Sequence, residues 1–529
     1  MWSPWTPAAL AATFAGALAG QEPGQPATTP PATGSTTTSA DVPAPLPDGA
    51  PPQMAQIDRV DLKKHAYWLA DDARQGRFTS SKSQFEVANY IAQQFQKLGL
   101  KPLGDKKGYL QLYPLDKTFI DTAATSLLFG SDKITANYAV LPASDGDKVL
   151  LGGHFAFCGN GSPDQLAKGG LKGRIPVVAV SKAPRGAAGS PVADNSAMGR
   201  CAAIAKKLAA EGASAAVICV LDDQSPFANA LNYQALLPEH PLLKFHGEGR
   251  RAAESAIPLL FLGKAQSLKL LTAMGIQFDD DGKPTGGNDK LTGKLQITVK
   301  NDPKANACNV VAWLEGKGRK NEAVVFSAHM DHIGVRLDGD VFNGADDDAS
   351  GTSGLLEVAE AFAKGDKPAR SIVFLSVSGE ELGLWGSSFF ADNPTWPKDQ
   401  IVADVNLDMI GRAGSDGDKT LIQVTPSFQH PKFSTIVRDA ARLAATMHVS
   451  LTSGDKYYER SDHFNFARKG IPVVFFCDGE HPDYHQVSDS ADKLDYARME
   501  TIARLAFWTG WLVANARERP QDLGSQSDW

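Results

Sequence analysis

A chain of 529 residues is too long for one compact core and implies two or three domains. With 43% hydrophobic and 21% charged residues it should be globular over most of its length, and a net charge of −7 gives no electrostatic basis for holding nucleic acid. Past the N-terminus no apolar run reaches the roughly 18 residues of a membrane helix, so no stable span is expected in the mature chain.

Residues 7–19 are apolar, and Ala17-Leu18-Ala19 offers a small-x-small cleavage site. Residues 1–20 therefore read as an export signal, although no Lys or Arg precedes the apolar stretch. Such a signal implies a periplasmic, cell-envelope or extracellular protein. Residues 21–55 are rich in Pro, Thr, Ala and Ser and read as a linker that buries no core.

Residues 57–100 are expected to be helical. Phe85, Ala88, Ile91, Phe95 and Leu98 share one face, and Gly99 closes the run. A strand is expected over 108–115, so residues 56–118 form the opening part of the main domain. The pattern then changes. Residues 119–300 carry short apolar strands at 149–151, 175–180, 215–220 and 259–262, with a helix at 201–210. They hold no His, Asp and Glu cluster at ligand spacing and read as an inserted, mainly β domain. The five cysteines, Cys158, Cys201, Cys219, Cys308 and Cys477, show no C-x-x-C pairing. A Cys158–Cys201 disulfide and buried thiols are equally good readings.

From Asn309 strand and helix alternate. Strands are expected at 324–327, 371–377, 402–407 and 472–476, and a helix at 353–364. This is the pattern of an α/β fold: a mixed, mostly parallel sheet with helices on both faces. Residues 301–517 make up this domain, and residues 518–529 read as a polar tail.

Most strand ends here are followed closely by metal-ligating residue types. In order, the chain supplies His329, the acidic triplet Asp346-Asp347-Asp348, Glu380-Glu381, Asp408 and His485. Imidazole and carboxylate are what zinc takes at an open catalytic site. Two zinc ions bring four positive charges. Asp347, Glu381 and Asp408 offset three, and a bridging hydroxide offsets the fourth, which limits the cost of burial. Cobalt or manganese suits the same donors. Asp331, two residues from His329, is placed to fix an imidazole tautomer. Glu380 is the natural general base, passing a proton from the attacking water to the leaving amine. Tyr484 can hydrogen-bond an oxyanion. His332 and His463 read as packed or supporting histidines rather than ligands.

These stretches carry a resemblance. Ala328-His329-Met330-Asp331-His332, the run 344–351, the run 380–387, the run 406–412, Ser461-Asp462-His463 and Tyr484-His485 together resemble the zinc aminopeptidases of metallopeptidase family 28, over residues 309–500. The resemblance implies a co-catalytic di-zinc exopeptidase fold. It gives His329 and Asp408 to one zinc, Glu381 and His485 to the other, and Asp347 as the bridge, being fourth in the Gly-x-x-Asp pattern. It also implies Glu380 as base, Tyr484 as oxyanion partner, and peptides as substrates. Residues 62–115 are similar to the family's leading helices. The middle region resembles a protease-associated domain through 173–180 and 206–220, although Phe157-Cys158-Gly159-Asn160-Gly161 replaces the usual Gly-Tyr-Gly.

The leading reading is an aminopeptidase that releases the N-terminal residue of a peptide. A carboxypeptidase or dipeptidase of the glutamate carboxypeptidase type is the alternative, with Arg412, Arg460 and Arg468 as candidates to hold a substrate carboxylate. A one-zinc glutaminyl cyclase and a non-catalytic binding protein are disfavoured, because no ligand is missing. Side-chain specificity and oligomeric state are not set by the sequence.

Overall fold

The computed structural model describes residues 45–529, apart from 144–146, 161–169, 181–196, 222–234, 239, 246–254, 280–283, 288–289, 415–416 and 419. The expected signal and most of the expected linker lie outside these residues. The last linker residues do not behave as a linker. Pro52–Gln56 forms a short 3-10 helix, and Met54 is fully buried in the main core.

The region 57–100 is not one helix but two, separated by a turn. Helix Arg59–Leu69 is capped by Asp58, whose carboxylate accepts the Val60 and Asp61 N–H groups, and helix Lys82–Lys97 by Ser81, which accepts from Gln84. Between them Asp72–Arg77 turns through left-handed Gln75 and Gly76.

The central sheet runs, edge to edge, Ser450–Ser453, Leu421–Thr425, Val473–Cys477, Ile401–Leu407, Ala323–His329, Ser371–Val377, Thr292–Leu314, Leu110–Ile120 and Leu242–Phe245. The four strands Val473–Cys477, Ile401–Leu407, Ala323–His329 and Ser371–Val377 are mutually parallel and buried at every position. Their mostly apolar sequences follow from burial on both faces. Gly351–Lys364, Tyr496–Asn515 and the two leading helices pack on one face. Trp385–Asp392 and His463–Ala467 cover the other. The fold is thus α/β with helices on both faces, and the carboxyl ends of the four parallel strands share one edge.

The middle region has cores of its own. Its strands include Tyr138–Leu141, Lys148–Phe157, Ile175–Val180, Ala216–Val220 and Leu259–Leu262, the last three mutually parallel, with helices Ala197–Ala210 and Lys264–Ala273 beside them. The boundaries expected near 118 and 300 both fall inside long strands. Thr292–Leu314 pairs with Ser126–Phe129 and Lys148–Phe157 through its first half, and with Ser371–Val377 through its last residues. Leu110–Ile120 lies antiparallel to it across the same junction.

All five cysteines are buried thiols and no Cys158–Cys201 disulfide forms. Residues 518–529, the expected polar tail, are largely exposed but tied down: Thr435 and Gln521 exchange backbone and side-chain hydrogen bonds, and Trp529 packs edge-on against Phe428 at 5.0 Å.

Candidate metal centre

The residues singled out from sequence converge at the carboxyl edge of the parallel strands. His329 is the last residue of Ala323–His329, Asp408 directly follows Ile401–Leu407, and Glu380 and Glu381 follow Ser371–Val377. Asp347 stands in the loop that opens helix Gly351–Lys364. His485 comes from the segment after Val473–Cys477.

Hydrogen bonding distinguishes the three aspartates of the acidic loop. Asp346 accepts from Gly411 N–H at 2.6 Å and faces His481 Nε2 at 3.1 Å. Asp348 accepts from the N–H groups of His329, Gly351 and Met409. Both carboxylates are thereby committed to the scaffold. Asp347 turns toward two of the expected ligands, with Oδ1 3.2 Å from His329 Nε2 and Oδ2 3.0 Å from His485 Nε2. Gly344 begins this loop at φ +54°, where a Cβ would lie 2.4 Å from the His332 ring, so only glycine fits.

Two donor groups share Asp347. On one side His329 Nε2 is 3.5 Å from Asp408 Oδ1. On the other, Glu381 meets His485 Nε2 at 3.1 Å and His332 Nδ1 at 2.7 Å. Each triad, His329–Asp347–Asp408 and His332–Asp347–Glu381, has ligand atoms within 4.8 Å of one another. His332, which sequence reasoning read as packed or supporting, turns Nδ1 into the donor cluster, 2.7 Å from Glu381 and 3.8 Å from Asp347. His463 fits its expected packed role, stacked on Phe475 at 4.5 Å with burial pushing its pKa down to about 3.

Several of these buried atoms crowd one another without a well-aligned hydrogen bond: His329 Nε2, both ring nitrogens of His332, Glu381 Oε1 and Asp408 Oδ1. Buried polar atoms left in this way, all facing one another, are what a cation would satisfy. A mixed imidazole and carboxylate set fits zinc.

The charges are strongly coupled. Burial lowers the His329 pKa, but Asp408 and Glu380 outweigh it and raise it well above the usual value. Burial and Asp347 push Glu381 up, yet His485 and His332 hold it at about 2. Glu380 is pushed well above the carboxylate range by burial, with His329 opposing and Glu381 and Asp408 adding. A carboxyl so raised suits proton transfer.

Supporting groups surround the centre. Asp331 meets His329 Nδ1 through its backbone carbonyl at 3.2 Å, while its carboxylate accepts from Thr79 Oγ1 at 2.6 Å and from Glu380 N–H at 3.4 Å. The tautomer with Nε2 toward the metal side is thus set mainly by a carbonyl. Buried Arg77 donates to the carbonyls of Leu69, Met330, Asn343 and Gly344, tying the leading turn to the acidic loop. Asp489 accepts the N–H groups of Asp346 and Asp347. Arg77, Thr79 and Asp489 carried no spacing that sequence alone could interpret.

Tyr484 stacks on His485 at 3.9 Å, and burial raises its pKa, so its hydroxyl keeps its proton. It lines a cavity with Asp347, Glu380, Asp408, Met409, Tyr457, Arg460, Phe475, Cys477 and Glu480. Arg460 is paired with Glu480 at 2.8 Å, Arg412 with Asp483 at 3.1 Å, and Arg468 approaches Asn465. A second, apolar cavity beside Glu381 is lined by Phe78, Leu242, Leu243, Ile333, Leu382 and Trp385.

Residues 309–509 match the profile of peptidase family M28. Over 255 residues the chain is 29% identical to a probable zinc metalloprotease of Pyricularia oryzae, covering 39% of this chain and 50% of that protein. It is 24% identical over 314 residues to aminopeptidase YwaD of Bacillus subtilis, covering 56% and 66%. It is 32% identical over 214 residues to leucine aminopeptidase 1 of Coccidioides posadasii, covering 38% and 54%. The chain thus spans about half the length of the first of these relatives. The solved structure of BSAP, a zinc aminopeptidase from Bacillus subtilis, superposes with a TM-score of 0.52 at 20% identity, covering 86% of this chain and 95% of that one, and shares the fold.

Proposed function

With residues 309–509 belonging to peptidase family M28, we propose that this chain is a zinc-dependent aminopeptidase that hydrolyses the N-terminal bond of peptides. The observation that carries this reading is the charge of the cavity over the centre. Arg460, the cation that lines this cavity, is already paired with Glu480 and is not free to hold a substrate carboxylate. Such a cavity offers no free cation to a substrate's α-carboxylate, which favours a substrate read from its amino end. The carboxypeptidase alternative needs a free basic pocket, and both Arg412 and Arg460 are ion-paired.

His329, Asp347, Asp408, Glu381 and His485 are the proposed ligands, and His332 joins them on the Glu381 side. Two donor groups sharing one carboxylate favour two ions over one. When bound, zinc lowers the pKa of water toward about 7 and polarises a carbonyl. Glu380 receives the attacking water's proton and returns it to the leaving amine. The Tyr484 hydroxyl donates to the oxygen on which charge develops. The apolar walls Met409, Tyr457 and Phe475 exclude water and hold an apolar side chain. The pattern of residues 1–20 supports export, and 173–180 and 206–220 support a protease-associated insert.

The test is hydrolysis of aminoacyl-nitroanilides beside N-blocked peptides with a free carboxylate, before chelation, after it, and after zinc is restored. Zinc-restorable activity confined to free-amino substrates is the expected outcome. Activity confined to blocked peptides would replace the reading with a carboxypeptidase.

A further inference from the structure

Behind Asp408 the catalytic sheet carries a polar chain through an otherwise apolar layer. Asp404, Asn406 and Asp408 follow one another at every second position, so they share a face. Ser327 lies opposite Asn406 on the neighbouring parallel strand. Four contacts join them. Asp404 Oδ1 is 2.8 Å from Ser327 Oγ, and Ser327 Oγ is 2.9 Å from Asn406 Oδ1. Asn406 Nδ2 is 2.8 Å from Ser461 Oγ, and Ser461 Oγ is 2.8 Å from Asp408 Oδ2. All five side chains are buried.

These contacts can be counted in protons. Each serine hydroxyl has one, and the Asn406 amide offers its N–H to only one of its two neighbours. That gives three donors for four contacts. Turning the amide over moves the shortfall from Ser327 to Ser461 but does not remove it. The fourth proton must therefore sit on a terminal carboxyl group. A metal ligand is ionised, which leaves Asp404.

We propose that Asp404 is held as a neutral carboxylic acid and heads a one-way chain, Asp404 to Ser327 to Asn406 to Ser461 to Asp408, that binds Asp408 Oδ2 and leaves Oδ1 for the metal. Asp404, Ser327, Asn406 and Ser461 are positioning residues in this scheme. The metal part rests on the zinc reading above. The second oxygen of Asp404 is buried without a partner, which a charged carboxylate would tolerate poorly. Burial moves its pKa well above the usual value, with Ser327 opposing and the charge of Asp462 adding. Of the elements on this face, Ala323–His329 brings His329, Val473–Cys477 brings Cys477, and His463–Ala467 brings His463. Helices Gly351–Lys364 and Tyr496–Asn515, with Glu357, Arg498, Glu500 and Arg504, pack with Ala403, Val405 and Leu407 on the opposite face.

The first arm of the test uses the zinc-loaded full chain, in which Asp408 is ionised. An acid neutral when folded but ionised when unfolded costs stability once pH exceeds the unfolded value of about 3.9. Asp404→Asn and Asp404→Leu remove that cost. Both are expected to melt at or above the wild-type temperature at pH 8, the difference shrinking toward pH 4. A lower melting temperature at pH 8 than wild type for both, or failure of both to fold, overturns the neutral acid. The second arm measures zinc affinity by chelator competition. Ser461→Ala is expected to weaken zinc about 10- to 100-fold, and Ser461→Thr to restore it. Equal affinity in all three proteins overturns the chain, whereas failure of wild type to bind zinc at all overturns the functional reading instead.

Discussion

At the scale of single residues, the site assigns distinct work to neighbours. Glu380 and Glu381 are adjacent, yet Glu381 is held at about 2 by two histidines while burial drives Glu380 up. Glu380→Gln should therefore keep zinc while losing about 10²- to 10⁴-fold in kcat, measured beside zinc content. Tyr484→Phe keeps the ring on His485 but removes the donor. A kcat loss of up to about 10³-fold with KM near wild type is expected. His332→Gln should reduce bound zinc from about two ions per chain to about one, as a shared two-metal site requires, while His463→Gln leaves zinc content unchanged. His332 also marks where sequence reading stopped. Ligand types at strand ends were legible, because each motif carries its own chemistry. Among the three aspartates in a row, Asp347 was singled out as the bridge only through the Gly-x-x-Asp pattern of the resemblance. Only the N–H donors of Gly411, His329, Gly351 and Met409 show that Asp346 and Asp348 are already engaged. His332 lies beside the motif, but which way its ring faces depends on the backbone after His329.

At the scale of elements, the buried parallel strands were readable because a strand covered on both faces is mostly apolar. The long strand Thr292–Leu314 was not, because its first half reads Lys, Asn and Asp where it crosses the surface between two sheets. The leading helices hide a second feature. Helix Arg59–Leu69 packs on helix Gly351–Lys364, and His65 Nε2 lies 3.7 Å from the buried Glu357. Burial raises Glu357 to about 9, with the Asp58 N–H opposing, while burial and Lys64 lower His65 to about 4. Both are neutral in the folded protein near pH 7. The unfolded glutamate titrates near 4.3. A raised folded pKa means that this contribution is fully present below about 4.3 and is lost as pH climbs toward 9. Glu357→Gln should thus match wild type near pH 4 and exceed it at pH 9 by on the order of a few kcal/mol. For His65 the sign reverses, and stability falls as pH drops from about 6.5 toward 4. Chemical denaturation at pH 4, 7 and 9 separates the two.

At the scale of the whole molecule, the insert is joined to the catalytic sheet by continuous strands rather than hinged on loops. Leu110–Ile120 and Thr292–Leu314 pair with each other across the junction, with one irregularity between Asp302 and Ala305. The strand Leu242–Phe245 returns from the insert to extend the catalytic sheet, and Phe245 stacks on Trp385 at 5.9 Å, just after the Glu380–Glu381 turn. Local unfolding of the insert would therefore strip hydrogen bonds from the sheet that carries the metal centre. The buried cluster of His329, His332, Asp347, Glu381, Asp408 and His485 gains most from a bound cation, and a ligand that binds only the folded state stabilises whatever unfolds with it. A single cooperative transition in calorimetry is the expected behaviour, moving downward as a whole when zinc is chelated and returning when zinc is added. Two resolved transitions, with only the hotter or the colder responding to zinc, would mean that the insert unfolds independently and that the shared strands do not couple it to the site.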